Sequence, residues 1–154
     1  ASVLVAPWVS HSMLSEGLWR IIQLDPLGVA AMLLTWNSTA WMRSPAEAAS
    51  KLISAEAVVS PEELHQRLGG ESGLVIFQHN PPFWKPAENV KTPVLLLAGE
   101  KDTLISVEGL RQTAAHYQAE FMVIPDAGHN SMMEKSYRET AESIDRWLSE
   151  KSVV

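Results

Sequence analysis

Cysteine is absent from the 154 residues, and basic residues and long apolar runs are scarce. Without cysteine the chain can form no disulfide framework, no thiolate nucleophile and no Cys-based zinc or iron–sulfur site. Twelve basic against 18 acidic residues give a net charge of −6, which argues against a nucleic-acid-binding protein. The longest apolar stretches, Val29–Leu34 and Val94–Ala98, are far shorter than the roughly 20 residues of a membrane-spanning helix. We therefore expect a globular, cytoplasmic protein that binds no nucleic acid and does not span a membrane.

The first residues form a short apolar run, Val3–Ala6, which ends at Pro7. Such a run predicts a strand that is buried on both faces, because proline ends the hydrogen-bonded ladder. The chain starts inside this strand, with no initiator methionine and no charged segment typical of a signal peptide. We expect it to continue a longer polypeptide.

The middle of the chain has the apolar spacings of three and four that indicate helices. The stretch Glu16–Trp36 is divided into two helices at Asp25-Pro26. Ser44 and Ser60 each stand before a proline at the first helical position, so two more helices are predicted to begin there. A proline-rich segment at residues 80–86 separates this helical region from the rest.

After that segment, strands and helices alternate. Strands are predicted at Val94–Ala98 and Glu120–Ile124, and helices at Val107–Tyr117 and Ser136–Leu148. The last helix is expected to bury Tyr137, Ala141, Ile144, Trp147 and Leu148. Buried strands that alternate with helices indicate an α/β fold with a parallel sheet and right-handed crossovers.

The candidate functional residues follow the two later strands, at the sheet edge where open α/β sheets place their ligands. In the first loop Gly99 lets the chain turn out of the strand, and Asp102 follows three residues later. In the second loop Ala127 and Gly128 precede His129, which lies 27 residues beyond Asp102. A carboxylate at this edge can orient an imidazole and stabilise its protonated form. Asp126 is a weaker alternative for the acid, and Glu134 is interpreted as a helix-start residue.

These two loops resemble the C-terminal part of the α/β-hydrolase family, in its serine esterase, lipase and haloperoxidase-like branch. Pro93 to Asp102 matches the family pattern Pro-Val-Leu-x-Leu-x-Gly-x-x-Asp, and Ile124 to His129 matches Ile-Pro-x-Ala-Gly-His. The resemblance implies that Asp102 is the triad acid and His129 the triad base. It further implies a partial α/β-hydrolase fold, with the last three parallel strands and their crossover helices at residues 1–7 and 87–154, and a helical cap insertion at 8–86.

The nucleophile elbow of that family, G-x-S-x-G, does not occur among these residues. Ser10, Ser12 and Ser131 are the serines nearest the expected site, but none is flanked by the required glycines. The expected function is therefore the C-terminal portion of a serine hydrolase for a small ester or acyl compound, inactive alone and without a cofactor. The alternative is a non-catalytic module that self-associates, as a homodimer, through the edge of the strand at Ser2–Ala6 or through the cap.

Several other residues allow two interpretations. Trp8, Trp36, Trp41 and Met132 could line an apolar substrate pocket, although packing in the cap or core is the simpler interpretation. The remaining histidines, His11, His65, His79 and His116, are scattered and show no metal-binding spacing, so no metal site is expected. The glycine-rich segment at residues 69–73 lacks the Lys-Ser/Thr of a phosphate loop and is read as a connector.

Overall fold

The computed structural model describes residues 1–8, 17, 19–70, 72, 74 and 85–151. Three parallel strands form one sheet in the order β1-β2-β3, with β1 at Ser2–Val5, β2 at Val94–Gly99 and β3 at Glu120–Ile124. All six residues of β2 are buried, as expected for the central strand of a parallel sheet. The three predicted strands and their parallel arrangement are thus confirmed. The burial predicted for the first strand is wrong: Ser2 and Val5 are exposed and Val3 and Leu4 are half-buried, because within the described residues β1 is bonded to β2 on one side only.

The described residues between β1 and β2 are mostly helical, as predicted. Their helices are α1 (Trp19–Leu24), α2 (Pro26–Thr35), a 3-10 helix (Ser38–Trp41), α3 (Pro45–Leu52) and α4 (Pro61–Arg67), and the predicted proline-rich segment lies outside the described residues except for residues 85 and 86. The Oγ of Ser44 accepts a hydrogen bond from the Glu47 N–H at 3.3 Å, and that of Ser60 accepts one from the Glu63 N–H at 3.1 Å. Each serine therefore caps its helix, and the proline that follows has no N–H that would need an acceptor.

Two helices complete the C-terminal part, α5 (Val107–His116) between β2 and β3 and α6 (Tyr137–Lys151) after β3. The burial predicted for α6 is wrong in its first half, because Tyr137 and Ala141 are exposed. Trp147 is the buried residue of this helix. Ile144 and Leu148 pack with it against the sheet, whose apolar side chains Leu95, Leu97 and Ile124 contact this end of the helix.

Alternate residues of β2 point into two separate cores. Leu95 and Leu97 face α6, whereas Leu96 and Ala98 face the core that includes Leu110 of α5. This second core also contains side chains from the helices before β2: Val29, Met32, Trp41, Leu52 and Leu64. The helical region therefore packs directly on the sheet. No helix within the described ranges is long and apolar enough to cross a membrane.

Candidate active site

The loop after β2 holds the Asp102 carboxylate in a fixed orientation. Its Oδ1 accepts hydrogen bonds from the N–H groups of Leu104 at 2.8 Å and Ile105 at 3.0 Å. The side chain is completely buried. Because Oδ1 is occupied by two backbone donors, Oδ2 is left to face the neighbouring loop.

That neighbouring loop, after β3, presents His129. The Nδ1 atom of His129 lies 2.9 Å from Oδ2 of Asp102, and its side chain is 23% exposed. The contact fits the tautomer in which Nδ1 carries the proton, because a carboxylate oxygen accepts hydrogen bonds. The structure thus brings together, at hydrogen-bond distance, the two residues that the sequence pattern singled out.

The two loops are also joined through their backbones. The N–H of Glu100 donates to the Ile124 carbonyl at 3.0 Å, and that of Lys101 donates to the Ala127 carbonyl at 2.8 Å. At Gly99 a Cβ would lie only 2.2 Å from the carbonyl oxygen of Gly128. The glycine at the end of β2 therefore allows the second loop to cross the first at close range.

Asp126, the alternative acid, lies in the turn after β3 and forms an ion pair with Lys101. Its side chain is 61% exposed. Among the described contacts it is Asp102 that faces the His129 ring.

A cavity of about 810 Å³ opens beside His129. Its walls come from the helices before β2, through Ile21, Met32, Trp41 and Leu52, and from the Asp102 loop, through Leu104 and Ile105. These six side chains are apolar, and the lining also includes the polar side chains of Ser38, Thr39, Arg43, His65 and Asn130. The cavity therefore combines a mostly apolar surface with several polar groups, which suits a ligand that has an apolar part and a polar group.

The four residues considered for a pocket are placed differently. Trp8 and Trp41 line the cavity. Trp36 and Met132 do not belong to its described lining, and each is 60% exposed. Trp36 ends α2 with a left-handed backbone (φ 53°).

The other histidines and serines weighed in the sequence have different positions. His65 lines the same cavity as His129, and its Nε2 lies 2.9 Å from the Met42 carbonyl oxygen. The described residues do not include all of the others: Ser10, Ser12, His11 and His79 fall outside. Ser131 is buried and begins the 3-10 helix Ser131–Met133. The part of the chain that the structure describes has no group of three or more potential metal ligands.

Glu134 is interpreted from the sequence as a helix-start residue, and the structure adds buried side-chain contacts that this interpretation does not include. Its backbone carbonyl does accept from the N–H of Tyr137, the first residue of α6, at 3.0 Å, but its side chain is buried and 1% of the residue is exposed. The carboxylate accepts from the N–H groups of Gly128 at 2.9 Å and Ser54 at 2.8 Å. Ser54 is 80 residues away and Gly128 lies in an irregular loop, so neither periodicity nor a capping pattern could have indicated these partners.

Comparisons with known proteins give a likeness in fold. No protein-family model matches the chain, and no curated protein matches it. A solved structure of a thermophilic esterase from Thermogutta terrifontis, with malate bound, superposes on 97% of this chain with a TM-score of 0.56 and 18% identity. The match covers 55% of that esterase, so this chain spans about half of its length. The mixed α/β fold, with its three-stranded parallel sheet, is therefore similar to that of an esterase.

Proposed function

We propose that this chain is the C-terminal portion of a serine α/β-hydrolase that acts on a small ester or related acyl compound. The observation that carries the proposal is the 2.9 Å contact between His129 Nδ1 and Asp102 Oδ2 at the carboxyl ends of adjacent parallel strands. The order of acid before base agrees with the family's order. The mostly apolar cavity beside the imidazole and the fold similarity to an esterase add support.

In this proposal His129 is the general base and then the general acid, and Asp102 holds it in the required tautomer. Nε2 of His129 takes the proton from a serine hydroxyl as the serine oxygen attacks the acyl carbon. The same nitrogen then gives that proton to the leaving alcohol. A water molecule, activated by His129 in the same way, releases the acid and frees the serine.

The serine is assigned to a segment outside these 154 residues, since they contain no G-x-S-x-G sequence. The proposed division is a sheet part at residues 1–7 and 87–154 and a cap at 8–86. The cavity lies between these two parts, because α1 to α4 supply one wall and the loops after β2 and β3 supply the other.

The test uses the longer polypeptide that carries a G-x-S-x-G segment upstream, with p-nitrophenyl acetate as substrate. We expect His129→Ala to lower kcat by about 10³-fold or more, since a triad member is removed. His116→Ala is the control, because His116 is an exposed histidine on α5 and should leave kcat unchanged. Full activity of the His129→Ala variant would refute the assignment, and the 154-residue chain alone should show no His129-dependent turnover.

A second candidate is a non-catalytic module that forms a homodimer. The observation in its favour is that β1 pairs only with β2 within the described residues, so β1 is an edge strand, and Val5 is 37% exposed. Light scattering at micromolar concentration would show a dimer in that case. A monomer would contradict this candidate and leave the hydrolase proposal standing.

A further inference from the structure

Glu134 is a buried carboxylate in direct contact with the loop of the proposed base. Oε1 accepts from the Gly128 N–H at 2.9 Å and from the Ser54 N–H at 2.8 Å, and Oε2 accepts from the Ser54 hydroxyl at 2.6 Å. Three donors from two separate segments thus converge on one carboxylate. Ser54 belongs to the segment after α3, whereas Gly128 immediately precedes His129.

The backbone on both sides of His129 is held by groups outside its own loop. On one side the Gly128 N–H binds Glu134, and on the other the Asn130 N–H donates to the Leu52 carbonyl at 2.7 Å. The two segments are in close contact, since a Cβ at Gly128 would lie only 2.8 Å from the Ile53 carbonyl carbon. The His129 loop therefore rests directly on the end of α3 and the residues after it.

We propose that Glu134 is a positioning residue for His129, which it holds at hydrogen-bond distance from Asp102 by fixing the Gly128 peptide against Ser54. The assignment of His129 as a base rests on the proposed function, but the positioning itself does not. Asp102 is fixed by its bonds to Leu104 and Ile105, so its carboxylate cannot follow a displaced imidazole. A loop displacement of about 1 Å would break the contact between the two residues.

Filling this buried space would not by itself require a carboxylate. Burial of a polar group costs free energy unless its hydrogen bonds are satisfied, and an apolar side chain fills a buried space without that cost. Here the three accepted bonds are what an apolar residue cannot supply. The glutamate is therefore explained by its partners, because it joins the Gly128 N–H, next to His129, to the N–H and hydroxyl of Ser54.

The first test is proton NMR of the 154-residue chain, and it needs no enzymatic activity. The Nδ1 proton of His129 is identified as the imidazole signal lost in His129→Gln. We expect Glu134→Ala to abolish this signal or to make its exchange with water at least about tenfold faster, because the contact with Asp102 is weakened. Glu134→Gln should keep the signal, since an amide oxygen accepts from both N–H groups and the Ser54 hydroxyl can donate or accept.

Leu110→Ala is the matched control, because it removes a fully buried apolar side chain on α5 and destabilises the fold without removing a hydrogen bond of the His129 loop. It should leave the His129 signal in place. If Glu134→Ala does not fold, Ser54→Ala removes one of the three bonds and should give a smaller increase in exchange. An unchanged signal in the folded Glu134→Ala or Ser54→Ala chain, or an equal loss in Leu110→Ala, would overturn the proposal.

The second test uses the longer polypeptide with its nucleophile. Glu134→Ala should lower kcat about 10- to 100-fold with KM changed less than about twofold, and Glu134→Gln should recover most of the loss. An equal loss in the Ala and Gln variants would contradict the positioning role. If His129→Ala keeps full activity, the proposed function fails, and the NMR result still decides whether Glu134 positions His129.

Discussion

Arg20 Nε donates a hydrogen bond to the carbonyl oxygen of Thr103 at 2.7 Å, from helix α1 to the residue after Asp102. The Thr103 hydroxyl in turn donates to the Lys51 carbonyl at 3.1 Å, near the end of α3. The Asp102 loop is therefore bound to two helices of the region before β2. Since the His129 loop also contacts the end of α3 and the residues after it, the loops of both residues in the proposed acid–base pair are bound to the same helical region.

We expect Arg20→Leu to lower the free energy of unfolding by about 1–2 kcal/mol, the loss typical of a hydrogen bond with a charged donor. Amide hydrogen exchange of Leu104 and Ile105 should increase, because the loop loses its attachment to α1. Arg67→Leu is the control, since Arg67 forms an exposed ion pair with Glu63 within α4 and should change stability by less than about 0.5 kcal/mol. Equal effects of the two substitutions in urea unfolding would contradict this role of Arg20.

Asp102 also has a structural role that can be separated from its contact with His129. Asp102→Ala should destabilise the chain by about 2–4 kcal/mol, because the buried N–H groups of Leu104 and Ile105 both lose their acceptor. Asp102→Asn keeps one acceptor oxygen for them and should cost less than half as much. Urea unfolding of the two variants measures the difference. Equal losses in the two variants would show that the backbone contacts of Oδ1 contribute little to stability.

The parts of the fold that could be predicted are those with local signals. Ser44 and Ser60 before their prolines located two helix starts, and the uninterrupted apolar run at Val94–Ala98 located the central strand. Asp102 and His129 could be paired because parallel strands end at one sheet edge, whatever lies between them in sequence.

The parts that could not be predicted depend on contacts between distant segments. Glu134 and Ser54 are 80 residues apart, and no pattern within either segment requires the other. Trp36 and Trp41 look alike as aromatic residues of one helical region, but one is 60% exposed and the other 7%. Trp36 ends α2 with a left-handed backbone and Trp41 ends the following 3-10 helix, and no pattern in the residues around either tryptophan indicates which one is buried.

Asp25 makes the stability of the helical region depend on acid pH. Partial burial acts to raise the pKa of Asp25, but hydrogen bonds from Lys51, the Gly28 N–H and Arg43 outweigh it and lower the pKa from 3.8 to about 2. A carboxyl with a lowered pKa in the folded state stabilises the fold above its unfolded pKa. This contribution, about 1–2 kcal/mol after allowance for solvent screening, should be lost as the pH falls from about 5 to 2.

Asp25→Asn should therefore flatten the dependence of the unfolding free energy on pH in that range. Urea unfolding at pH 6, 4 and 2.5 measures it. Asp145→Asn, which removes an exposed carboxylate from α6, is the control, and the flattening should be specific to Asp25→Asn. If the Asp25→Asn chain loses as much stability between pH 6 and 2.5 as the unsubstituted chain, the Asp25 contacts do not carry the effect.

Gly128 and Gly69 form a matched pair for testing how closely the His129 loop packs. A Cβ at Gly128 would lie 2.8 Å from the Ile53 carbonyl carbon and the Ser54 nitrogen, and 3.0 Å from Glu134 Oε1, whereas one at Gly69 would meet nothing within 4 Å. Two of the atoms near Gly128 are backbone, so they cannot move aside without shifting the loop. We expect Gly128→Ala to cost about 1–3 kcal/mol and Gly69→Ala to be neutral or stabilising by about 0.5 kcal/mol, as measured by urea unfolding. Gly128→Ala should also weaken the Nδ1 proton signal of His129. A variant that keeps both its stability and this signal would show that the His129 loop can move away from the helical region without effect on either.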